Sequence, residues 1–198
     1  WKYQARTSRH FFWDNGTLLA NLFATGAALG LPPRLVMGFL DDSVNRLLGL
    51  DTGREVALSL VALGRESGAI PASSAQLHPL GYRIAPYSHT EVDYPRMRQT
   101  HEASCFSDFK EVEEWRGRPP GIVESAPDGR VVDLKLLPEP ELPRDSIEQV
   151  ILRRGSTRQF AQLPIRFEQL STVLVHATRD IPADYLEPLG TRLNDLYL

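Results

Sequence analysis

A single cysteine, Cys105, is all the chain contains. No internal disulfide can form from it, and no multi-cysteine zinc or iron–sulfur site can be built. Long apolar runs are missing as well. The longest nearly unbroken one, Val56 to Leu63, is far too short for a helix that crosses a bilayer. No basic-then-apolar segment opens the chain. Nor is there an excess of positive charge: 22 Lys and Arg stand against 25 Asp and Glu, a net charge of −3. That balance gives no electrostatic footprint for nucleic acid and no polybasic run for an acidic membrane surface. Neither a Gly-x-Ser-x-Gly elbow, a Walker A loop nor a Gly-x-Gly-x-x-Gly fingerprint occurs. With 42% hydrophobic and 24% charged residues, the composition is that of an ordinary soluble globular protein. The expectation is a cytoplasmic protein that binds neither nucleic acid nor membrane.

What the chain has falls into three stretches. Residues 1–65 are apolar and closely patterned. Asp14 or Asn15 can cap a helix beginning near Thr17, with Leu18, Leu19, Leu22, Phe23 and Ala27 at helical spacing. Gly30 suits the position just past its end, and Pro32 and Pro33 forbid continuation. Met37, Gly38 and Phe39 lie in a short loop. Asp41 or Ser43 starts a second helix, with Val44, Leu47 and Leu48 inward and Gly49 closing it. Val56 to Leu63 is continuously apolar, as in a strand covered on both faces. Residues 66–145 hold ten of the fifteen prolines and read as a long connector. It has room for a short strand over Arg130 to Leu136 and one or two helical turns over Glu111 to Arg116. Residues 146–198 regain pattern. Ser146 with Gln149 makes a capping box, with Ile147, Val150 and Ile151 as the buried stripe behind it. Phe167, Leu170, Val173, Leu174 and Ala177 give a second amphipathic helix.

The densest chemistry is Arg153-Arg154-Gly155-Ser156-Thr157-Arg158-Gln159-Phe160. Arg presents a planar fork of donors that matches phosphate oxygens, and a Ser hydroxyl adds a neutral one. The same residues also suit a solvated helix end, where Arg favours the C-terminal dipole. Val36-Met37-Gly38-Phe39 is a second candidate, because backbone N–H groups in such a loop can face a cofactor. Taken alone, the stretch is better read as a simple tight turn. The five histidines are scattered. His101 and Cys105 lie four apart, but a metal site needs more ligands than these two. Phe11, Phe12 and Trp13 read as core.

The stretch from Arg9 to Gly64 resembles the C-terminal half of the nitroreductase family, and within it the SagB-type dehydrogenases. The matching blocks are Arg9-His10-Phe11-Phe12-Trp13-Asp14-Asn15-Gly16, Asn21-Leu22 with Ala27-Ala28-Leu29-Gly30-Leu31, Gly38-Phe39 with Asp41-Asp42, Leu47-Leu48-Gly49-Leu50-Asp51, and Leu63-Gly64. Residues 146–198 resemble the N-terminal part of the same family. That match runs from Ile147 through Leu152 to Phe160, then Pro164-Ile165, Leu170-Ser171, Ala177-Thr178-Arg179 and Leu196-Tyr197-Leu198. The connector resembles the SagB-type inter-repeat region at Glu91-Val92-Asp93-Tyr94-Pro95, His101-Glu102-Ala103-Ser104 and Trp115-Arg116. The order is therefore C-terminal half, connector, N-terminal part. It reads as a piece of a tandem protein, consistent with an opening at Trp1 and an apolar close at Leu193 to Leu198.

The resemblance implies an α+β fold: a nitroreductase-like sandwich with a mostly antiparallel central sheet and flanking helices, incomplete over this stretch. It implies a homodimer, or a pseudo-dimer of repeats, with flavin mononucleotide (FMN) at the interface. Arg154, Ser156 and Arg158 fall where the family holds the flavin phosphate, and Met37 and Gly38 where backbone N–H groups approach the ring near N5. The implied activity is an FMN-dependent oxidoreductase passing hydride through N5. Its substrate would be a small molecule or a modified peptide, with NAD(P)H as an electron donor. One departure favours the alternative, a degenerate scaffold or partner-binding module without catalysis. Where many SagB-type sequences carry Pro-Ser-Ala-Gly-Gly, this chain has Leu189-Gly190-Thr191-Arg192-Leu193-Asn194.

Overall fold

The structure is a computed structural model, and it describes residues 2–64, 78–85, 88–116 and 129–185. The expected strand at Leu196 to Leu198 and the segment Leu189 to Asn194 lie outside the described residues. Six α-helices and one two-stranded antiparallel sheet occur among them, so the chain is mixed α and β. It divides into two compact units, Trp1–Arg118 with Pro182–Tyr185, and Pro119–Ile181 with Leu186–Leu198. No helix of the described residues is long and apolar enough to cross a membrane.

The first unit opens with α1, Thr7–Ala28. This helix starts ten residues before the expected Thr17, so Asp14 and Asn15 lie inside it instead of capping it. Thr17 Oγ1 donates back to the Asp14 carbonyl at 2.8 Å, and Asn15 Nδ2 donates to Ser59 Oγ at 3.0 Å. Neither Asp14 nor Asn15 interrupts the backbone ladder. The end of α1 is as read: Gly30 takes φ +69°. Leu31 N–H returns to the Gly26 carbonyl at 2.9 Å and Gly30 N–H to that of Ala27 at 3.1 Å. Two otherwise orphaned carbonyls are thereby satisfied in a Schellman arrangement.

Strand β1, Pro33–Val36, pairs with β2, Leu60–Leu63, in the register Pro33 with Leu63 and Val36 with Leu60. Pro33 can begin β1 because the first position of a strand tolerates a missing donor. Between the strands lies α2, Asp41–Leu48. It ends on Gly49 at φ +69° with the same pair of return bonds as α1, Gly49 to Arg46 and Leu50 to Asn45. The run from Val56 was expected to be a strand buried on both faces. Only its second half pairs, and Leu63 is 53% exposed. With two strands, this sheet is too small to sandwich a strand between layers.

The connector carries two further helices in this unit, α3, Pro95–Glu102, and α4, Phe109–Arg116. Pro95 supplies the first turn of α3, where its fixed φ suits a helix and its absent N–H leaves nothing unsatisfied. The buried apolar residues among those described are Leu35, Phe39, Val112 and Ala183. They come from β1, the loop after it, α4 and the segment Pro182–Tyr185, so the core of this unit sits where those four meet. Phe11, Phe12 and Trp13, expected in a core, are 44%, 47% and 60% exposed on α1.

The second unit contains α5, Ile147–Arg153, and α6, Phe167–Ala177. The capping box at α5 is present in full: Gln149 N–H donates to Ser146 Oγ, and Ser146 N–H to Gln149 Oε1. The expected stripe behind it is not buried, since Val150 and Ile151 are 37% and 39% exposed. In α6 the inward face is turned from the apolar reading. Ser171 and Thr172 are the buried positions, while Val173 is exposed. Thr172 Oγ1 accepts the Leu137 N–H at 2.8 Å and donates to the Glu168 carbonyl, which draws that face inward. Arg130 to Leu136 forms no strand, leaving Leu137 to a side-chain acceptor instead of a sheet ladder.

The two glycine contexts in and after α1 predict opposite effects. Nothing lies within 4 Å of a Cβ at Gly16 or Gly30, but only Gly30 has positive φ. Gly16→Ala should stabilise the first unit by ~0.5–1 kcal/mol, and Gly30→Ala should cost about 1–2 kcal/mol through the left-handed backbone. Urea unfolding of the two variants gives both signs in one experiment.

Candidate functional site

The loop after β1 owes its shape to a carboxylate from far along the chain. Leu35 N–H donates to the Pro182 carbonyl at 2.8 Å, and Asp184 N–H donates to that of Leu35 at 3.1 Å. This parallel bridge between Leu35 and Ala183 sets Asp184 beside the turn that leaves β1. There its side chain accepts two consecutive amides, Met37 N–H to Oδ1 at 2.8 Å and Gly38 N–H to Oδ2 at 2.9 Å. Arg116, at the end of α4, closes the arrangement. Its Nε and Nη2 donate to Asp184 Oδ2 at 3.1 and 2.6 Å, and Nη2 also donates to the Gly38 carbonyl at 2.9 Å. Asp184 is 6% exposed, so its charge survives burial only through these four donors.

The surroundings are tight. A Cβ added at Gly38 would stand 2.9 Å from Val112 Cγ1, 3.0 Å from Asp184 Oδ2 and 3.1 Å from Arg116 Nε. Glycine is required here by space rather than by backbone angle. Trp115 lies between Phe106 and Tyr185, ring centroids 5.3 and 6.1 Å away. Burial, and then the Asp184 carboxylate, raise the Tyr185 phenol above its usual range.

The expected ring-contacting residues, Met37 and Gly38, are thus together in one turn with their amides aimed at one acceptor group. That group belongs to the chain itself. The expected phosphate residues lie in the second unit, on the irregular stretch after α5. Arg154 is the residue that ends α5, its N–H bonded to the Val150 carbonyl at 2.8 Å. Arg154, Ser156 and Arg158 are all exposed. Their neighbours are differently placed: Arg153 is paired with Asp145 at 3.1 Å and Arg166 with Glu141 at 2.7 Å. Among the described residues neither Arg154 nor Arg158 has a carboxylate at ion-pair distance.

Two participants escaped the sequence reading. Asp184 lies 146 residues from Gly38, and no local pattern announces an acceptor for a distant loop. The sequence shows Arg116 only as the end of a short helix and as part of a Trp-Arg pair, and its role depends on the length of α4. A further cluster was half seen. His101 and Cys105 do meet, Sγ to Nε2 at 3.4 Å, and Asp41 at the start of α2 joins them. Burial pushes the Cys105 thiol up to about 11, with Asp41, Asp42 and Glu102 adding to the effect.

The chain matches no family model, and neither the curated proteins nor the solved structures give a match to it.

The geometry ranks two substitutions. Asp184→Ala leaves the Met37 and Gly38 amides without their acceptor and takes from Arg116 its carboxylate partner, and should cost about 2–3 kcal/mol. Arg116→Ala removes a partner whose side chain is 40% exposed, and should cost about 1 kcal/mol. Equal losses in denaturant unfolding, or a smaller loss for Asp184→Ala, would show that Asp184 does not organise this turn.

Proposed function

We propose that the chain is part of an FMN-dependent oxidoreductase of the nitroreductase type, with Arg154, Ser156 and Arg158 as ligands of the flavin phosphate. The observation that carries this reading is the contrast among the arginines. Arg153 and Arg166 are held by carboxylates, whereas Arg154 and Arg158 face solvent beside a serine hydroxyl on a stretch that follows a boxed helix. Two planar forks and one hydroxyl suit a phosphate dianion. The nitroreductase-like sandwich, its dimer or pseudo-dimer, and a small-molecule or modified-peptide substrate with NAD(P)H as donor belong to the same reading.

The two expected contact sets lie in different units, and each is suited to its own part of a flavin to a different degree. The phosphate end has open donors. At the ring end, Met37 and Gly38 carry the right groups, but Asp184 uses both amides and Gly38 has no free space around it. Bound FMN would supply hydride transfer at N5. For their part, the Met37 and Gly38 amides can donate to another acceptor only when Asp184 releases them. That occupancy favours a second reading, in which the fold is kept as a scaffold or partner-binding module and no flavin is held.

Titrating the purified chain with FMN and following flavin fluorescence separates the two. The first reading predicts saturable quenching, and Arg154→Ala should weaken it about tenfold, near the lower end of what a hydrogen bond to a charged group contributes, ~1.5 kcal/mol. A folded chain that leaves flavin fluorescence unchanged supports the scaffold. Quenching with the same affinity in Arg154→Ala would remove the phosphate assignment.

A further inference from the structure

Cys105, His101 and Asp41 come together from two separate places in the first unit, and the backbone fixes how. His101 lies in the last turn of α3. Past the end of that helix, Ser104 N–H bonds to the His101 carbonyl at 2.8 Å and Cys105 N–H to that of Glu102 at 3.4 Å, which folds Cys105 back toward the ring. On the other side, an isolated parallel bridge joins Leu40 to Phe106, and Phe106 N–H donates to Asp41 Oδ2 at 2.9 Å. One carboxylate oxygen, one imidazole nitrogen and one sulfur then lie within 4.8 Å of one another. His101 and Cys105 are half-buried, and Asp41 is 9% exposed.

The spacing suits a small cation. With metal–sulfur and metal–imidazole bonds of roughly 2.3 and 2.0–2.1 Å, two ligands of a tetrahedral zinc stand about 3.5 Å apart. Cys105 Sγ and His101 Nε2 are 3.4 Å apart. Mixed oxygen, nitrogen and sulfur ligands in one cluster favour zinc over magnesium or calcium, which prefer oxygen alone.

We propose that Asp41, His101 and Cys105 bind a divalent zinc ion, with a water completing the fourth position. The Cys105 thiol proton passes to solvent as the thiolate–zinc bond forms. Three residues from α2, the end of α3 and the turn after it would then be tied by one ion. The site is independent of any flavin, because none of its residues belongs to the expected FMN contacts.

Cobalt(II) titration of the metal-free purified chain tests this directly. Cys105 is the chain's single cysteine, so a thiolate-to-cobalt charge-transfer band can arise from no other residue. The expected result is a band that saturates at one cobalt per chain, is abolished by one equivalent of zinc, and is lost in Cys105→Ser. His101→Ala and Asp41→Asn should each weaken cobalt binding by at least about tenfold. Asp41→Asn retains an oxygen for the Phe106 N–H, so its fold is kept. Absence of the band in the unmodified chain overturns the proposal, as does unchanged cobalt affinity in either His101→Ala or Asp41→Asn.

Discussion

The first unit depends on one carboxylate. Asp184 draws two amides, a guanidinium and a strand edge to a single point, and the apolar core forms around that point. Leu35 is bridged to Ala183 next to Asp184 in sequence, Val112 packs against Gly38, and Arg116 stands one helical turn beyond Val112. A buried charge without partners would be expelled or neutralised. With four donors it becomes a fixed point, and the turn Met37–Gly38 can take only the shape that serves it. Position 38 must be glycine because the space around it has been filled by the groups that Asp184 assembled.

That constraint bears on function as much as on shape. Consecutive amides converging on one acceptor make a good anion or cofactor contact. Here the acceptor is supplied by the chain. A flavin reading of Met37 and Gly38 therefore requires Asp184 to give them up, whereas Arg154 and Arg158 are exposed and have no carboxylate at ion-pair distance among the described residues. The two expected contact sets differ in readiness. A carboxylate 146 residues away holds the amides of one set, while Asp145 and Glu141 hold Arg153 and Arg166 and not the arginines of the other.

Local chemistry was legible in the sequence wherever a few adjacent residues decide the outcome. The Ser146–Gln149 box, the glycine ends of α1 and α2, and the presence of α4 and α6 all follow from such short signals. Length and burial were not legible. Nothing in Asp14-Asn15 says that both lie inside a longer helix, with the Asn15 side chain donating to Ser59 rather than capping. The inward turn of Ser171 and Thr172 follows from a bond to Leu137, which periodicity cannot reveal. α3 went unread because its residues are polar and its only strong signal, Pro95, marks a start without a stripe behind it. In the candidate site, residue types gave Arg154, Ser156 and Arg158 their chemistry, but only tertiary structure brought Asp184 to Met37 and Gly38, and Asp41 to His101 and Cys105.

The central claim is that Asp184 holds the turn after β1 closed. Amide hydrogen exchange of Met37 and Gly38, followed by NMR, reads that contact at the two atoms concerned. The account predicts that both amides exchange on the order of a hundredfold or more slowly than an open loop, and that both lose this protection together in Asp184→Ala. Exchange near the free-loop rate in the unaltered chain would contradict it, as would protection that survives removal of the carboxylate.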